Sequence, residues 1–192
     1  MAMPDLSVDL TGTLLMAMPG MGDPRFAGSV VYLCVHSPSQ AMGLIINKPM
    51  DEITFAEMME QLEIAHKDPV PDVPVCYGGP VELRRGFVLH SADYRPRGEE
   101  GLRVDHRFAM TGTLDILEDI AAGQGPKNAL LALGYAGWGA GQLEEEIQRN
   151  DWLTAPATPE LVFGLAMERK WDAALESLGI HPLMLSSDAG HA

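Results

Sequence analysis

The stretch NALLALGYAGWGAGQLEEEIQR, residues 128–149, carries the strongest structural signals of the chain. Its apolar beginning, residues 128–133, predicts a buried strand. The glycine-rich residues 134–141 predict a tight turn. Residues 142–149 predict a helix with three glutamates in its first turn, where the helix dipole favours negative charge. We therefore expect a strand, a turn and a helix that pack closely around Trp138.

Glycines after a strand also raise a nucleotide-binding alternative, because they let backbone amides approach a phosphate at a helix N-terminus. Gly137, Gly139 and Gly141 are spaced as GxGxG rather than GxGxxG, and no Gly-Lys-Ser/Thr triplet follows them. The three glutamates of the helix would also repel a phosphate. A structural turn is therefore the favoured interpretation, and nucleotide binding is the alternative.

Apolar segments on both sides of this stretch predict the other strands. The predicted strands are residues 13–17, 29–36, 42–46, 75–77, 81–90, 108–111 and 152–155. The second and third are separated by a Ser-Pro-Ser-Gln turn and predict an antiparallel hairpin. In residues 81–90, Leu83 and Phe87 share a face with Arg85, so this arginine needs a partner or a position at the rim.

Amphipathic patterns predict the helices, and together with the strands they indicate an α+β fold. The predicted helices are residues 54–62, 113–122, 159–163 and 167–178, besides 142–149. Thr54 and Glu57 have the spacing of a capping box. In the second helix, the residues expected to face the core are Leu114, Leu117, Ile120 and Ala121.

Composition predicts one folded domain over residues 1–192, because 46% of the residues are hydrophobic and 21% are charged. The formal net charge of −14 opposes contact with a phosphate backbone, so nucleic acid is not an expected partner. Six arginines fall within residues 84–107, but five acidic residues at positions 82–105 are mixed with them and indicate a solvated loop. The one candidate recognition helix, 113–122, carries three acidic side chains, which is the wrong sign for DNA.

Neither a signal peptide nor a membrane-spanning segment is apparent, because the first basic residue is Arg25 and no apolar run approaches about 20 residues. We expect a cytoplasmic protein without membrane contact. Cys34 and Cys76 lie in apolar, strand-like surroundings. In a reducing compartment they are expected to be buried thiols rather than a disulfide.

Two cysteines and two histidines raise the alternative of a metal site: Cys34, His36, Cys76 and His90. A second paired ligand motif is missing, so structural roles are favoured and we expect no metal and no cofactor. The sequence also contains no strained nucleophile elbow, and no catalytic group can be named.

Polar residues and glycines at strand ends and turns form the candidate ligand site, because such groups can leave the core and converge in a cleft. The candidates are Asn47, Lys48, Gly78, Gly79, Arg85, His90, Trp138 and Gln142. We expect Asn47, Gly79, His90 and Trp138 to meet around one shallow cleft. The alternative is that the polar members only cap turns.

Eight short motifs follow one another in a fixed order along the chain. They are LLMAMP (14–19), DPRF (23–26), SVVY (29–32) followed by Cys34 and His36, GLIINKP (43–49), GGPV (78–81), RGFVLH (85–90), LGYAGW (133–138) and GQLE (141–144). In this order they resemble the AlgH/YqgE family of bacterial proteins, nearly from end to end. The sequence departs from the family at Val35, where the family usually carries Glu.

This resemblance implies a bifurcated, largely antiparallel β-sheet with a small barrel-like portion, surrounded by helices. It also implies a regulator of transcription, with no reaction, cofactor or catalytic residue to carry over. The leading hypothesis is a regulator of gene expression that acts through a protein or small-molecule partner rather than by direct DNA binding. An enzyme that uses a polar surface cleft is the second hypothesis, and a DNA-binding repressor is the third.

Overall fold

The computed structural model describes residues 8–98 and 101–185 and shows an α+β fold. The strands are β1 (Thr13–Ala17), β2 (Val30–Ser37), β3 (Gln40–Ile45), β4 (Val75–Tyr77), β5 (Val81–Ser91), β6 (Gly101–Arg103), β7 (Phe108–Thr111), β8 (Ala129–Gly139) and β9 (Trp152–Pro156). The α-helices are α1 (Phe55–Gln61), α2 (Leu114–Ala121), α3 (Gln142–Gln148) and α4 (Lys170–Glu176). A π-helix at Glu160–Gly164 and 3₁₀ turns at Met167–Arg169 and Pro182–Leu185 complete the described elements.

The strands form one curled, mainly antiparallel half-barrel sheet. Its order is β6-β7-β5-β8-β3-β2-β1-β9, and β4 adds to β8 in parallel. The predicted hairpin of β2 and β3 is confirmed by antiparallel pairs from Val31 with Ile45 to Ser37 with Gln40.

Strand β8 is the point at which the sheet bifurcates. Its first half lies between β4 and β5, with Leu131 opposite Val75 on one side and Val88 on the other. Its second half pairs with β3, where Trp138 lies opposite Ala41. The predicted turn over residues 134–141 is therefore wrong, because the strand continues to Gly139 and only two residues separate it from α3.

We call the point at which the sheet bifurcates the fork. Glycines make it possible, because the backbone after β4 and the backbone of β8 approach each other closely there. A Cβ atom on Gly134 would lie 2.4 Å from the carbonyl oxygen of Gly79, and a Cβ atom on Gly79 would lie 2.1 Å from the carbonyl carbon of Tyr135. Both glycines also have positive φ, +75° and +152°. Such a φ disfavours side chains with a Cβ, so the glycines are required for backbone conformation as well as for space.

Helix α1 confirms the predicted capping box, since Thr54 accepts a hydrogen bond from the Glu57 amide and the Glu57 carboxylate accepts one from the Thr54 amide. Helix α2 buries three of its four predicted core residues, and Ile116 takes the place expected for Leu114. Leu114 is 57% exposed, whereas Ile116 is fully buried. Leu114 is the first residue of the helix and lies outside its buried stripe.

Burial of Cys34 and Cys76 confirms two free thiols, and burial raises the pKa of each to about 12. Lys170 is also buried, with 4% exposure. Its ammonium group donates hydrogen bonds to the carbonyl oxygens of Val162 at 2.6 Å and Ile46 at 3.1 Å. These bonds join α4 to the π-helix and to the chain after β3.

Within residues 8–98 and 101–185, no helix combines the length and the apolar character needed to span a bilayer.

We expect Gly134→Ala to destabilise the fold more than Gly123→Ala. Both glycines have a φ near +76°, but a Cβ atom on Gly123 would meet nothing within 4 Å. Gly123→Ala should cost about 1–2 kcal/mol of backbone strain, and Gly134→Ala should cost about 1–3 kcal/mol more because of overpacking. Urea denaturation measures both free energies of unfolding, and equal losses would contradict the steric account.

We also expect the stability difference between wild type and Lys170→Met to depend on pH. Burial lowers the pKa of Lys170 to about 8, below its ordinary value of 10.5. Between these values the unfolded chain holds a proton that the folded chain has released, so this lysine adds stability as pH rises through 8. From pH 7 to pH 9, the free energy of unfolding of wild type should rise by about 1 kcal/mol relative to that of Lys170→Met. Lys170 lowers the pKa of the Cys76 thiol, but burial keeps that pKa at about 12, so Cys76 stays protonated in both folded proteins up to pH 9. A difference independent of pH would refute the shift.

Candidate functional site

Strand β5 is interrupted by an outward loop, residues 82–85, which we call the β5 bulge. Val81 lies opposite Tyr135, and Gly86 lies opposite Leu133. An advance of five residues along β5 therefore matches an advance of only two residues along β8. Glu82 has a φ of +50°, an uncommon value for a residue other than glycine. Such strained extrusions occur often beside binding sites.

The bulge corrects the predicted face of this strand. Leu83 does not share the apolar face of Phe87, because the extra residues of the bulge move it out of register and leave it exposed. Arg85 does lie on the side of Phe87, in an exposed position at the rim. Arg85 does have the partner that the sequence required, Glu82, at 3.6 Å between the side-chain nitrogen and oxygen.

On one side of the bulge lies a cavity of about 550 Å³, which we call the barrel cavity. Four large side chains from four strands dominate its apolar lining: Met42, Phe87, Met110 and Tyr135. They pack in a single hydrophobic cluster, so the cavity is the open end of the core enclosed by the curled sheet. Its charged lining residues are Glu82 and Arg85.

The guanidinium group of Arg85 lies over the ring of Phe87, 4.9 Å from the ring centre. This cation–π contact holds the charge above the apolar lining. The Arg85 and Glu82 side chains are 58% and 51% exposed, so solvent screens their ion pair. The mouth of the cavity therefore carries an arginine that is held by a ring and only weakly neutralised.

On the other side of the bulge lies an apolar groove of about 470 Å³, which we call the leucine groove. Its exposed walls come from three separate elements, the end of α1, the β5 bulge and the start of α2. The corresponding residues are Leu62, Leu83 and Leu114, with 44%, 53% and 57% exposure. Its charged lining residues are Arg84 and Arg85.

Of the eight predicted candidates, Arg85 and Trp138 line the barrel cavity. Trp138 is 5% exposed, and its indole nitrogen donates to the Glu146 carboxylate at 2.9 Å. The indole nitrogen of Trp152 donates to the same oxygen at 2.8 Å. Trp138 therefore anchors α3 to the sheet, and little of its side chain is exposed.

Asn47 and Lys48 join the end of β3 to the loop before β2. The Asn47 side chain accepts from the Val30 amide at 2.7 Å and donates to the Gly28 carbonyl at 2.9 Å. The Lys48 ammonium group donates to the Arg25 carbonyl at 2.9 Å. Both polar groups are thus used within the fold, as the turn-capping alternative predicts.

Gly78, Gly79 and Gln142 are also engaged in the fold. The Gly78 amide donates to the Leu133 carbonyl, and the Gly78 carbonyl accepts from the Ile45 amide, both at 2.8 Å. Gly79 forms the close approach at the fork. The Gln142 side chain accepts from the Gly139 amide at 3.0 Å and closes the two-residue connection between β8 and α3.

His90 is fully buried, and the expected cleft is corrected at this residue. His90 lies opposite Ala129 on β8, whereas Trp138 is nine residues further along that strand, which is about 30 Å of extended chain at 3.3 Å per residue. His90 does not line the barrel cavity at which Trp138 lies. Burial lowers the pKa of His90. The neutral ring donates from Nδ1 to the Ser91 carbonyl and accepts at Nε2 from the Thr111 hydroxyl, each at 2.9 Å.

The cysteines and histidines considered for a metal are likewise separated by their partners. His36 donates from Nε2 to the Glu144 carboxylate at 2.7 Å and accepts the Leu10 amide at Nδ1. The Cys76 thiol donates to the Ile45 carbonyl at 3.2 Å. Among the residues that the structure describes, no three His, Cys, Asp or Glu side chains form a group that could hold an ion.

Sequence reasoning missed the leucine groove. Leu114 was expected to face the core, and nothing in the local pattern separates Leu62 or Leu114 from buried leucines. The signal that could have raised the question is the adjacent pair Arg84 and Arg85 inside a predicted apolar strand.

Comparison with known proteins now places the chain in a family. The profile described as AlgH-like matches residues 14–183. A UPF0301 protein of Jannaschia sp. (strain CCS1) is 78% identical over 192 residues and is covered over its full length, as is this chain. The solution structure of the AlgH protein from Pseudomonas aeruginosa superposes with a TM-score of 0.77 at 42% identity, covering 100% of this chain and 99% of that one.

A crystal structure of a Corynebacterium diphtheriae protein has a TM-score of 0.67 at 24% identity, over 91% of this chain and 88% of that one, and supports the fold alone. The expected α+β fold with a bifurcated, half-barrel sheet is confirmed by the architecture and by the likeness to the AlgH structure. The profile match and the high identity over the whole length lead to one conclusion: this chain belongs to the AlgH-like family.

Proposed function

We propose that this chain regulates gene expression by binding a protein partner in the leucine groove, rather than by contacting DNA. The observation that carries the proposal is the convergence of Leu62, Leu83 and Leu114 from three elements on one concave apolar surface. Exposed leucines that converge in a groove are typical of surfaces that a partner covers, whereas single exposed leucines are common and carry no such meaning.

The shape and charge of the groove favour one kind of occupant, an amphipathic helix with an acidic residue at its edge. Such helices place apolar side chains at i, i+3 or i+4 into a groove of this type. The charged residues that line the groove are both arginines, although the chain has a net charge of −14. Arg84 forms no ion pair with any described residue, so an acidic group of the partner would meet an unneutralised cation.

Direct DNA binding receives no support from the charges. The acidic residues of α2 face the loop before β6, where Arg97 pairs with Asp119 and lies 3.5 Å from Glu118. Arg107 pairs with Asp105 at 3.1 Å. These arginines are engaged with carboxylates, and no helix with a basic face is present among the described elements.

The hypothesis of an enzyme receives no support from the two cysteines or from His90. Burial keeps the thiols of Cys34 and Cys76 protonated near neutral pH, because it raises the pKa of each to about 12. The two ring nitrogens of His90 are both used by neighbouring protein groups.

We expect the protein to give no sequence-selective shift of duplex DNA at physiological salt, because its charge opposes phosphate contact. A mobility-shift titration with promoter fragments measures this. Selective retention at nanomolar protein would overturn the proposal in favour of a repressor.

We further expect Leu83→Glu and Leu114→Glu to abolish regulation while leaving the fold intact, because both side chains are more than half exposed and a charge in the groove rejects an apolar partner. Leu183→Glu is the matched control, since Leu183 is 82% exposed and does not line the groove. The measurement is the transcript profile of a deletion strain that carries each variant. Equal complementation by all three variants, with unchanged melting temperatures, would contradict the role of the groove.

A further inference from the structure

The barrel cavity combines three properties of a small-molecule site, and none of them depends on the leucine groove. The first is size, because about 550 Å³ lies within the 300–1,000 Å³ usual for such sites. The second is an apolar lining that the rest of the chain leaves accessible from the surface. Phe87 and Tyr135 meet edge to face, with ring centres 5.8 Å apart, and Met42 and Met110 are the other large members of the lining.

This lining favours an aromatic body in the ligand. Ring edges and faces at 4.5–7 Å form favourable contacts with a further ring, and methionine sulfur also contacts aromatic rings favourably. Methionine side chains adapt their shape to an inserted group more readily than branched side chains do. A flat ring that enters the cavity would therefore find partners on several sides.

The third property is the arginine at the mouth. The Arg85 guanidinium group has five N–H donors, and no described acceptor lies within hydrogen-bond distance of them. The nearest carboxylate oxygen, of Glu82, is 3.6 Å away, beyond the 2.7–2.9 Å of a charge-assisted hydrogen bond. The contact with Phe87 keeps this donor set next to the apolar lining.

From these observations we infer that the barrel cavity binds a small aromatic anion, with its ring among Met42, Phe87 and Tyr135 and its carboxylate or phosphate on Arg85. A planar guanidinium group can take either anion through two parallel hydrogen bonds. The anion would replace the long contact to Glu82 by direct bonds. The inference goes beyond the proposed function, because it assigns a second site with a different kind of ligand.

Methionine methyl groups provide a direct test, because the two sites contain different methionines. Met42 and Met110 line the barrel cavity, Met58 lines the leucine groove, and Met16 is fully buried elsewhere in the sheet. With methyl-¹³C-methionine protein, titration with 3-phenylpropionate should shift the Met42 and Met110 signals and leave those of Met58 and Met16 in place. Phenyl phosphate, titrated in parallel, distinguishes a phosphate site from a carboxylate site.

The charge requirement is tested with the neutral analogue 3-phenylpropanamide and with two neighbouring arginines. Wild-type protein should bind one of the two anions at least about tenfold more tightly than the amide. Arg85→Gln should reduce this preference to within about twofold. Arg84→Gln, the matched control on the groove side, should leave it unchanged, and both exposed substitutions should leave the melting temperature in place.

Three results would overturn the inference. One is the absence of any shift of Met42 and Met110 with either anion at millimolar concentration. Another is a shift centred on Met58, which would place the binding in the leucine groove. The last is an equal loss of the preference in Arg84→Gln and Arg85→Gln. The first result leaves the proposal for the leucine groove untouched, and the second would assign the small anion to that groove. The effects of Leu83→Glu and Leu114→Glu on regulation are measured independently, so the two proposals can fail separately.

Discussion

The close approach of Gly79 to Gly134 is the contact on which the rest of the structure depends. With no Cβ atom on either residue, the chain after β4 passes directly against β8 and lets β3 take over as the neighbour of that strand. One strand can then belong to two diverging halves of a sheet, and the curled half-barrel follows from that divergence. A side chain at either position would separate the two backbones. It would remove the hydrogen bond that the Gly78 amide donates to Leu133 and the one that the Gly78 carbonyl accepts from Ile45.

The fork also explains why the bulge and its two recesses lie where they do. Gly134 has left-handed backbone geometry, and the pairing of β5 with β8 is lost between Leu133 and Tyr135. Strand β5 uses this interruption to extrude residues 82–85. Because the residues of the β5 bulge project from the sheet, Arg85 lies at the boundary between the barrel cavity and the leucine groove, and it lines both.

Local patterns predicted most elements of this fold, and they failed where distant segments meet. The capping box at Thr54, the β2–β3 hairpin and the buried thiols depend on neighbouring residues, and all three were predicted correctly. The continuation of β8 through Gly134 was missed, because a glycine-rich segment indicates a turn unless a second backbone is known to pack against it. His90 was misplaced for the same reason, since the group that satisfies its ring, Thr111, is 21 residues away.

The ligand site stays a prediction, although the structure places two of its candidates, Arg85 and Trp138, at one cavity. The sequence singled out Arg85 because a charged residue in an apolar strand needs a partner or a position at the rim, and the structure places it at the barrel cavity. The β5 bulge that carries Arg85 could not be predicted, since it follows from the register between β5 and β8.

The overall acidity of the chain also bears on why arginines sit beside apolar recesses. At a net charge of −14, an anionic group is repelled by most of the surface, and two exposed guanidinium groups in water offset little of that repulsion. Burial of apolar surface contributes favourably to the free energy of binding, and salt does not screen this contribution. We therefore expect a ligand or peptide that has both an apolar part and an acidic group to bind, and a polyanion such as DNA, which gains little from the apolar surfaces, not to bind. The combination selects partners by their apolar part first and by their charge second.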